Sequence, residues 1–396
     1  MPSKSTQKRP RGWEAYYYKP TSLVCKPKAH KNRIKSEKKV LRNESVNPLV
    51  SIIIPTFNHE NFIGRAIESA LAQTYKPIEI IVVNDGSQDK TESEVSRFLK
   101  FGIKFVNQNN EGVSAAVNNG FRIATGDYIA FQSGDDCSRP ERIATQIKAL
   151  RDQKVATVFS AVELIDESGT PLRSKSWATG LFETFQGDRS AVLRKLFCDG
   201  NFLNASSALI SREALETVRE PMSGNLFNPH LLQLQDFDLW CRLVSKFDLV
   251  ILKEPLVYYR ILNNHRNLSA PKVSAHRRAE NERLMMFRNF FDPIDDQLFR
   301  TAFGELLTNR NFTTPQERKV EEALLFLSSK FAPLAAIGVE NAHQLIANGV
   351  PEHYSGVLKQ QLECVLSERD IFFRQQGYFS KVLSRLKRAV RKIKKS

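Results

Sequence analysis

No run of 18 consecutive apolar residues occurs in the sequence, so nothing in it reads as a membrane-spanning helix. Lys4, Lys8, Arg9 and Arg11 open the chain with no apolar segment behind them, which argues against a secretory signal. Cysteine is scarce. Cys25, Cys137, Cys198, Cys241 and Cys364 stand far apart without the paired spacing of a metal site, and read as isolated thiols in a reducing, cytoplasmic setting. Two phosphate-binding signatures are also missing. No Gly-x-Gly-x-x-Gly follows the first predicted strand and no glycine loop ends in Gly-Lys-Ser/Thr, which sets aside dinucleotide and P-loop sites.

What the chain has in excess is positive charge, +15 in 396 residues. Its placement decides what it means. Residues 1–45 hold 13 Lys and Arg against 3 acids, and residues 374–396 hold 9 against none. The stretch 46–373 holds 36 against 40, so the body is slightly acidic. A nucleic-acid enzyme concentrates its basic residues along the groove that holds the polymer. Basic tails on an acidic body point instead to an anionic membrane surface, with no nucleic-acid partner.

The apolar pattern divides the chain into four parts. Residues 1–45 are polar and basic with an aromatic island at Trp13, Tyr16, Tyr17 and Tyr18, and are expected to be largely disordered with a docking patch. Residues 46–270 alternate strand and helix. Short β-branched runs at Val50–Ile54, Ile78–Val83, Ile103–Val106 and Tyr128–Phe131 read as buried parallel strands. Helical spacing fills the gaps, beginning with a helix that Asn58 is expected to cap. This rhythm predicts an α/β fold with a doubly wound, mostly parallel sheet. Residues 271–375 read as helical, without recognisable chemistry. Residues 376–396 place Phe379, Val382, Leu383, Leu386, Val390 and Ile393 on one helical face and Lys and Arg on the other, a basic amphipathic helix suited to an anionic membrane.

In open parallel sheets ligands bind beyond the C-terminal strand edge. Three polar clusters fall there: Pro55-Thr56-Phe57-Asn58, Asn84-Asp85-Gly86-Ser87, and Ser133-Gly134-Asp135-Asp136. Adjacent carboxylates repel unless a cation or hydrogen bonds relieve them, so Asp135-Asp136 suggests Mg²⁺ or Mn²⁺. The alternative is one aspartate capping the helix near Pro140 and the other solvated. Asp85 suits either a nucleobase imide or the tight turn that follows it.

Val-Ser-Ile-Ile-Ile-Pro-Thr-Phe-Asn (50–58), Ile-Ile-Val-Val-Asn-Asp-Gly-Ser-Gln-Asp (80–89) and Gly-Asp-Tyr-Ile-Ala-Phe-Gln-Ser-Gly-Asp-Asp (126–136) resemble family 2 glycosyltransferases. Asn110-Glu111-Gly112 fits the same pattern. Asp236-Phe237-Asp238-Leu239-Trp240-Cys241-Arg242 and Glu254-Pro255-Leu256-Val257-Tyr258-Tyr259-Arg260 resemble that family's acceptor-side block. The resemblance covers about residues 49–270. It implies a GT-A fold, a nucleotide-sugar donor (UDP-linked), a glycan or lipid-linked glycan acceptor, and Mn²⁺ or Mg²⁺. It further implies that Pro55, Thr56, Phe57, Asn58, Asn110, Gly112 and Asp136 contact the nucleotide and that Asp85 binds the uracil. Asp135 would hold the metal and Asp236 would be the general base of an inverting, in-line displacement. Asp236 can also be read as a helix N-cap.

The sequence departs from the family pattern at four places. Ser133 stands where the acidic motif often has its first acid, Gln235 where an acid often precedes the base, and Val117 where an arginine is frequent. Leu262 replaces a histidine that commonly follows the Tyr-Arg pair, leaving His265 as the available metal ligand. Two rival readings remain: a nucleotidyltransferase, or a degenerate transferase that binds sugar nucleotides without turning them over. The transferase reading places the protein in bacterial cell-surface polysaccharide, lipopolysaccharide or capsule synthesis, peripheral to the inner face of the cytoplasmic membrane.

Overall fold

The computed structural model describes residues 47–172, 176, 178–182, 184–220 and 223–368. The expectations for the basic N-terminal segment and for the helix after 376 lie outside the described residues, as does the side chain of His265. From Asn47 onward the described chain forms one compact unit.

The first strand, β1 (Val50–Thr56), shows why the sheet is central. Its side chains alternate between two faces, and both faces are apolar. Val50, Ile52 and Ile54 enter one core with Ile80, Val82 and Ala130, while Ile53 enters the other with Ile81, Val83, Ile129 and Phe131. Each such isoleucine, fully buried, contributes roughly 1.5–3 kcal/mol over leaving it exposed. β1 pairs in parallel with β2 (Ile78–Asp85) and β4 (Tyr128–Phe131), and β2 pairs in parallel with β3 (Lys104–Gln108). Helices α1 (Ile63–Leu71), α2 (Thr91–Ser96) and α3 (Val113–Ile123) make the crossovers. The expected doubly wound, mostly parallel α/β sheet is therefore present.

Beyond β4 the chain adds the two-residue β5 (Cys137–Ser138), α4 (Arg142–Gln153), β6 (Thr157–Ile165), α5 (Arg189–Asp199), β7 (Leu209–Ser211) and α6 (Arg212–Thr217). It then adds α7 (Gln235–Val244) and β8 (Leu249–Arg260). The eight strands run in the order β3-β2-β1-β4-β7-β6-β8-β5. β7 is antiparallel to both β4 and β6, and β5 is antiparallel to β8, so the acceptor half is mixed.

One capping expectation fails. Asn58 does not cap α1; its φ is +53°, and its Oδ1 accepts a hydrogen bond from the Gln88 amide at 2.8 Å. Phe62 precedes α1 with no side-chain cap. An asparagine tolerates this left-handed backbone, and here it ties the β1 loop to the β2 loop.

Helices α8 (Val273–Phe287), α9 (Asp296–Phe303), α10 (Pro315–Leu327), α11 (Ala332–Asn348) and α12 (Glu352–Glu368) complete the described chain. They pack on the sheet domain through phenylalanine. Phe197 of α5 meets the rings of Phe287, Phe290, Phe291, Phe303 and Phe326 at centroid distances of 5.3–6.0 Å. One apolar core thus runs across the expected boundary at residue 270. That packing brings α8 to the site.

Candidate active site

The loops after β1 and β2 are stitched together by their own polar groups. The Asn58 amide donates to Ser87 Oγ at 2.9 Å and the His59 amide donates to Thr91 Oγ1 at 2.8 Å. Asp85, at the end of β2, is 4% exposed. Its Oδ1 accepts from Gln108 Nε2 at 2.7 Å and from the Glu111 amide at 2.9 Å; its Oδ2 accepts from the Gly112 amide at 2.9 Å. The carboxylate therefore sets the loop that leads into α3, and of its roughly four acceptor positions about one is left for a ligand. Gly86 has φ +72°, and a Cβ there would stand 2.7 Å from the Asn110 amide nitrogen, so only glycine allows the two loops to close on each other.

At the end of β4 the two adjacent aspartates diverge. Asp136 is 1% exposed and turned into the protein: Ser206 Oγ donates to its Oδ2 at 2.5 Å and the Arg260 amide donates to its Oδ1 at 2.9 Å. Burial, with the neighbouring Asp135 charge second, raises its pKa to about 8. Asp135 accepts a short hydrogen bond from Ser133 Oγ through Oδ1, and its carboxylate has no ion-pair partner among the described residues. Arg260 secures the turn. Its fully buried guanidinium donates to the carbonyls of Asp135 (2.7 Å), Asp166 (2.9 Å) and Glu167 (2.9 Å). Beside the same turn, Thr56 Oγ1 and His59 Nδ1 are buried without hydrogen-bond partners, and a Cβ on Gly134 would meet them at 2.6 and 2.8 Å.

Asp236 is the second residue of α7, not its N-cap, which is Leu234. Its Oδ2 accepts from Asn201 Nδ2 at 3.2 Å and its Oδ1 from the Phe237 amide at 2.7 Å. Burial pushes its pKa up to about 6. Asp238, two positions on, faces elsewhere and is bound by Arg242 Nε and Nη2 at 3.0 and 2.7 Å. Residues two apart on a helix do not share a face, so only one of the two acids can serve the cavity.

That cavity holds about 820 Å³, and Pro55, Asp135, Asp136 and Asp236 all line it. Thr56, Phe57, Asn58, Asp85, Asn110 and Gly112 are not among its lining residues, although Val113 is. Phe57 is 40% exposed. His265 lies in the short turn Asn263–His265. Among the described residues no group of three or more His, Cys, Asp or Glu is placed to hold a metal.

Several contributors carry no motif in the sequence. Glu282 of α8, 4% exposed, accepts from the amides of Leu232, Gln233 and Leu234 at 2.9, 2.9 and 2.8 Å, and so fixes the entry to α7 that carries Asp236. Tyr259, whose hydroxyl lies 2.7 Å from Ser269 Oγ, and Arg283 line the cavity. So do Asn204 and Gln235, whose side-chain carbonyl oxygens are buried and without partners. Glu282 stands in the polar run Glu280-Asn281-Glu282-Arg283, so the sequence offered no signal that set it apart.

Residues 51–219 match the family described as glycosyl transferase family 2. An "uncharacterized glycosyltransferase" of Rickettsia felis is 34% identical over 234 residues, covering 58% of this chain and 36% of its own length. An "uncharacterized glycosyltransferase" of Nostoc sp. is 27% identical over 262 residues, covering 64% of this chain and 77% of its own. The chain therefore spans about a third of the length of the Rickettsia relative. Among solved structures, S. aureus TarS 1–349 in complex with UDP-GlcNAc superposes with a TM-score of 0.53 at 16% identity, covering 83% of this chain and 92% of that one. At that identity the likeness is one of fold, the GT-A arrangement of a mixed α/β sheet. The motifs at the ends of β1 and β4, which meet at this cavity, fall inside the matched segment, so residues 51–219 form a glycosyl transferase family 2 segment.

Proposed function

We propose that the protein is an inverting glycosyltransferase that moves a sugar from a nucleoside-diphosphate donor, UDP-linked, to an acceptor hydroxyl. The observation that carries this reading is the pair Asp135 and Asp236, one in the turn after β4 and the other in the first turn of α7, on one cavity, with Asp236 poised at about pH 6. An in-line displacement needs a base on the acceptor face and charge compensation on the leaving-group face, so one carboxylate must serve each side. Asp236, ionised at neutral pH, takes the acceptor proton as the oxygen attacks the anomeric carbon. Asn201 and Glu282 hold that carboxylate in place. The unpartnered carbonyl oxygens of Asn204 and Gln235 suit sugar hydroxyls as donors.

A divalent cation fits the donor side only as a substrate-borne ion. Asp135 offers one carboxylate without an ion-pair partner, and Mg²⁺ and Mn²⁺ commonly bind through one or two carboxylates plus substrate phosphates and water. Asp135 would hold it, with His265 the second ligand expected from sequence. When bound, such an ion offsets charge on the departing diphosphate. Pro55, Thr56, Phe57, Asn58, Asp85, Asn110, Gly112 and Asp136 then form and support the nucleotide side, with Asp85 contacting the base while it holds the 108–112 loop. The acceptor is a glycan or lipid-linked glycan of a bacterial cell-surface polysaccharide, met at an anionic membrane that residues 376–396 engage. No described helix is long and apolar enough to cross a membrane.

The experiment is donor turnover. The intact chain is assayed with UDP-GlcNAc, UDP-glucose, UDP-galactose and GDP-mannose, with and without Mn²⁺, beside Asp236→Asn. Metal-stimulated release of one nucleoside diphosphate, suppressed in the variant, is expected. Binding without turnover of any donor would favour the non-catalytic reading.

A further inference from the structure

One wall of the cavity is not used by the chemistry above. It is formed by α8, which presents Lys272, Ala275, His276, Ala279 and Arg283 to the cavity, the spacing of a single helical face. Ala275 and Ala279 are small and leave that face open between a cation at each end. His276 is beside Glu280 at 3.5 Å, and Asp199 on the same wall is committed to Lys195 and Lys330 at 3.2 and 2.8 Å. Lys272 and Arg283 have no such partner: among the described residues no carboxylate lies within ion-pair distance of either. Arg283 is half-buried, rests on the Phe331 ring at 4.4 Å from its centroid, and has a buried Nε without a hydrogen-bond partner. Its two Nη atoms likewise make no hydrogen bond to the described residues, and a half-buried guanidinium with no acceptor is costly and uncommon, which points to a ligand that takes the outer edge of the fork.

The position of Arg283 says which substrate that is. It follows Glu282, the residue that holds the entry to the Asp236 helix. A Cβ on Gly200 would stand 3.9 Å from Arg283 Nη2, and the next residue, Asn201, donates to Asp236. The cation is thus on the base side of the cavity, where the acceptor enters.

We propose that Arg283, with Lys272 at the entrance, is an oxyanion subsite for the acceptor, and that the acceptor carries a phosphate or carboxylate close to the hydroxyl that receives the sugar. The proposal rests on the transferase reading and adds the acceptor's charge to it. A guanidinium fork pairs with two oxygens of either group at once, which orients the acceptor as well as holding it.

The test uses matched pairs that differ in charge: glycerol with glycerol 3-phosphate, glucose with glucose 6-phosphate, and glucose with glucuronate. Each is titrated by calorimetry into the UDP-saturated chain and supplied as acceptor in the transfer assay. Wild type, Arg283→Gln, Arg283→Lys and Lys272→Gln are compared. The readout is the ratio of anionic to neutral member within each variant. The wild type should favour one class of anion by about 10- to 100-fold, the range expected for a hydrogen bond to a charged group. Arg283→Gln should bring that ratio close to one, Arg283→Lys should keep part of it, and UDP affinity should hold throughout. The phosphate and carboxylate pairs separate the two sources. A wild-type ratio near one, an undiminished ratio in Arg283→Gln, or a fall in UDP affinity in that variant would overturn the subsite. If Arg283→Gln fails to fold, the ratio in Arg283→Lys and Lys272→Gln decides. Absence of all donor turnover in the wild type counts against the transferase reading, and the binding ratios still judge the subsite.

Discussion

Asp236→Asn should make the protein more stable and nearly inactive at the same time. Burial raises the Asp236 pKa from its ordinary 3.8 to about 6. The folded chain therefore keeps this proton over a range where the unfolded chain has released it, so stability falls as pH climbs from about 3.8 to about 6, and the loss persists above. At pH 7 the folded state carries a penalty of up to about 3 kcal/mol for ionising this group. Asparagine removes the charge and keeps an oxygen for the Phe237 amide, while Asn201 must turn its amide to present oxygen and give up the bond its Oδ1 accepts from the Leu203 amide at 3.0 Å, which takes back part of the gain. A net ~1–2 kcal/mol remains, or about 2–3 °C in Tm for a unit of this size. Thermal unfolding of both proteins from pH 3.5 to 8 measures it. The gap should be near zero at pH 3.5, open through pH 4–6 and stay constant above. Turnover at pH 7 should fall about 10²–10⁴-fold, as loss of a general base does, and the wild-type rate should rise with pH to a plateau above about 6. A variant less stable than wild type at pH 7, or a gap that ignores pH, refutes the buried-base argument. Wild-type turnover in Asp236→Asn removes the base assignment even if the stability result stands.

Asp135→Asn should abolish metal-dependent tightening of UDP binding, whereas Asp236→Asn should spare it; calorimetry with and without Mn²⁺ separates the two. Gly134→Ala should lower both Tm and UDP affinity, because its Cβ would fall 2.6 Å from Thr56 Oγ1 and 2.8 Å from His59 Nδ1; unchanged unfolding and binding would mean that the turn gives way freely. Asp85→Ala leaves the Glu111 and Gly112 amides without their acceptor, costing about 1–3 kcal/mol each if they stay buried, so Tm and UDP affinity should fall together. Removal of residues 378–396 should end sedimentation with anionic vesicles at low salt and leave donor turnover in solution intact; equal sedimentation of both forms would remove the membrane assignment.

Much of the sheet was legible because its physics is local. A strand buried on both faces must be apolar throughout, and Val50–Ile54 or Ile78–Val83 can hardly be anything else. The polar clusters that interrupt such runs mark strand ends, and in a parallel sheet those ends frame one crevice. Hence Asp135 could be assigned to the crevice from sequence, whereas Asp236, on helix α7, was joined to it only through the resemblance of its block to the family 2 glycosyltransferases. What stayed hidden depends on contacts between distant segments. Asn58 has the composition of a cap, but its amide and side chain are drawn to Ser87 and Gln88, and only the approach of two loops reveals that. Glu282 and Arg283 lie in a helix whose pattern shows only that it packs on something. The phenylalanine cluster around Phe197 decides where it packs, and no periodicity encodes that choice.

Adjacent acids illustrate the limit most sharply. Asp135 and Asp136 are indistinguishable as letters, as are Asp236 and Asp238 within one helical turn. In each pair one carboxylate is spent on the scaffold: Asp136 on Ser206 and the Arg260 amide, Asp238 on Arg242. Asp135 is left with the Ser133 hydroxyl, and Asp236 is held by the neutral donors Asn201 and the Phe237 amide rather than by a cation. A carboxylate paired with a cation, or turned with both oxygens into the scaffold, has little capacity for substrate, so the other member of each pair is the one suited to chemistry. The spent member has its own effect, since it anchors the turn or helix that aims its neighbour. Truncating Asp136 or Asp238 to alanine leaves Ser206 and the Arg260 amide, or Arg242, without their acceptor, and should therefore cost activity through misplacement of Asp135 or Asp236. The loss should travel with a drop in stability, opposite in sign to the stability gain expected when Asp236 itself is neutralised.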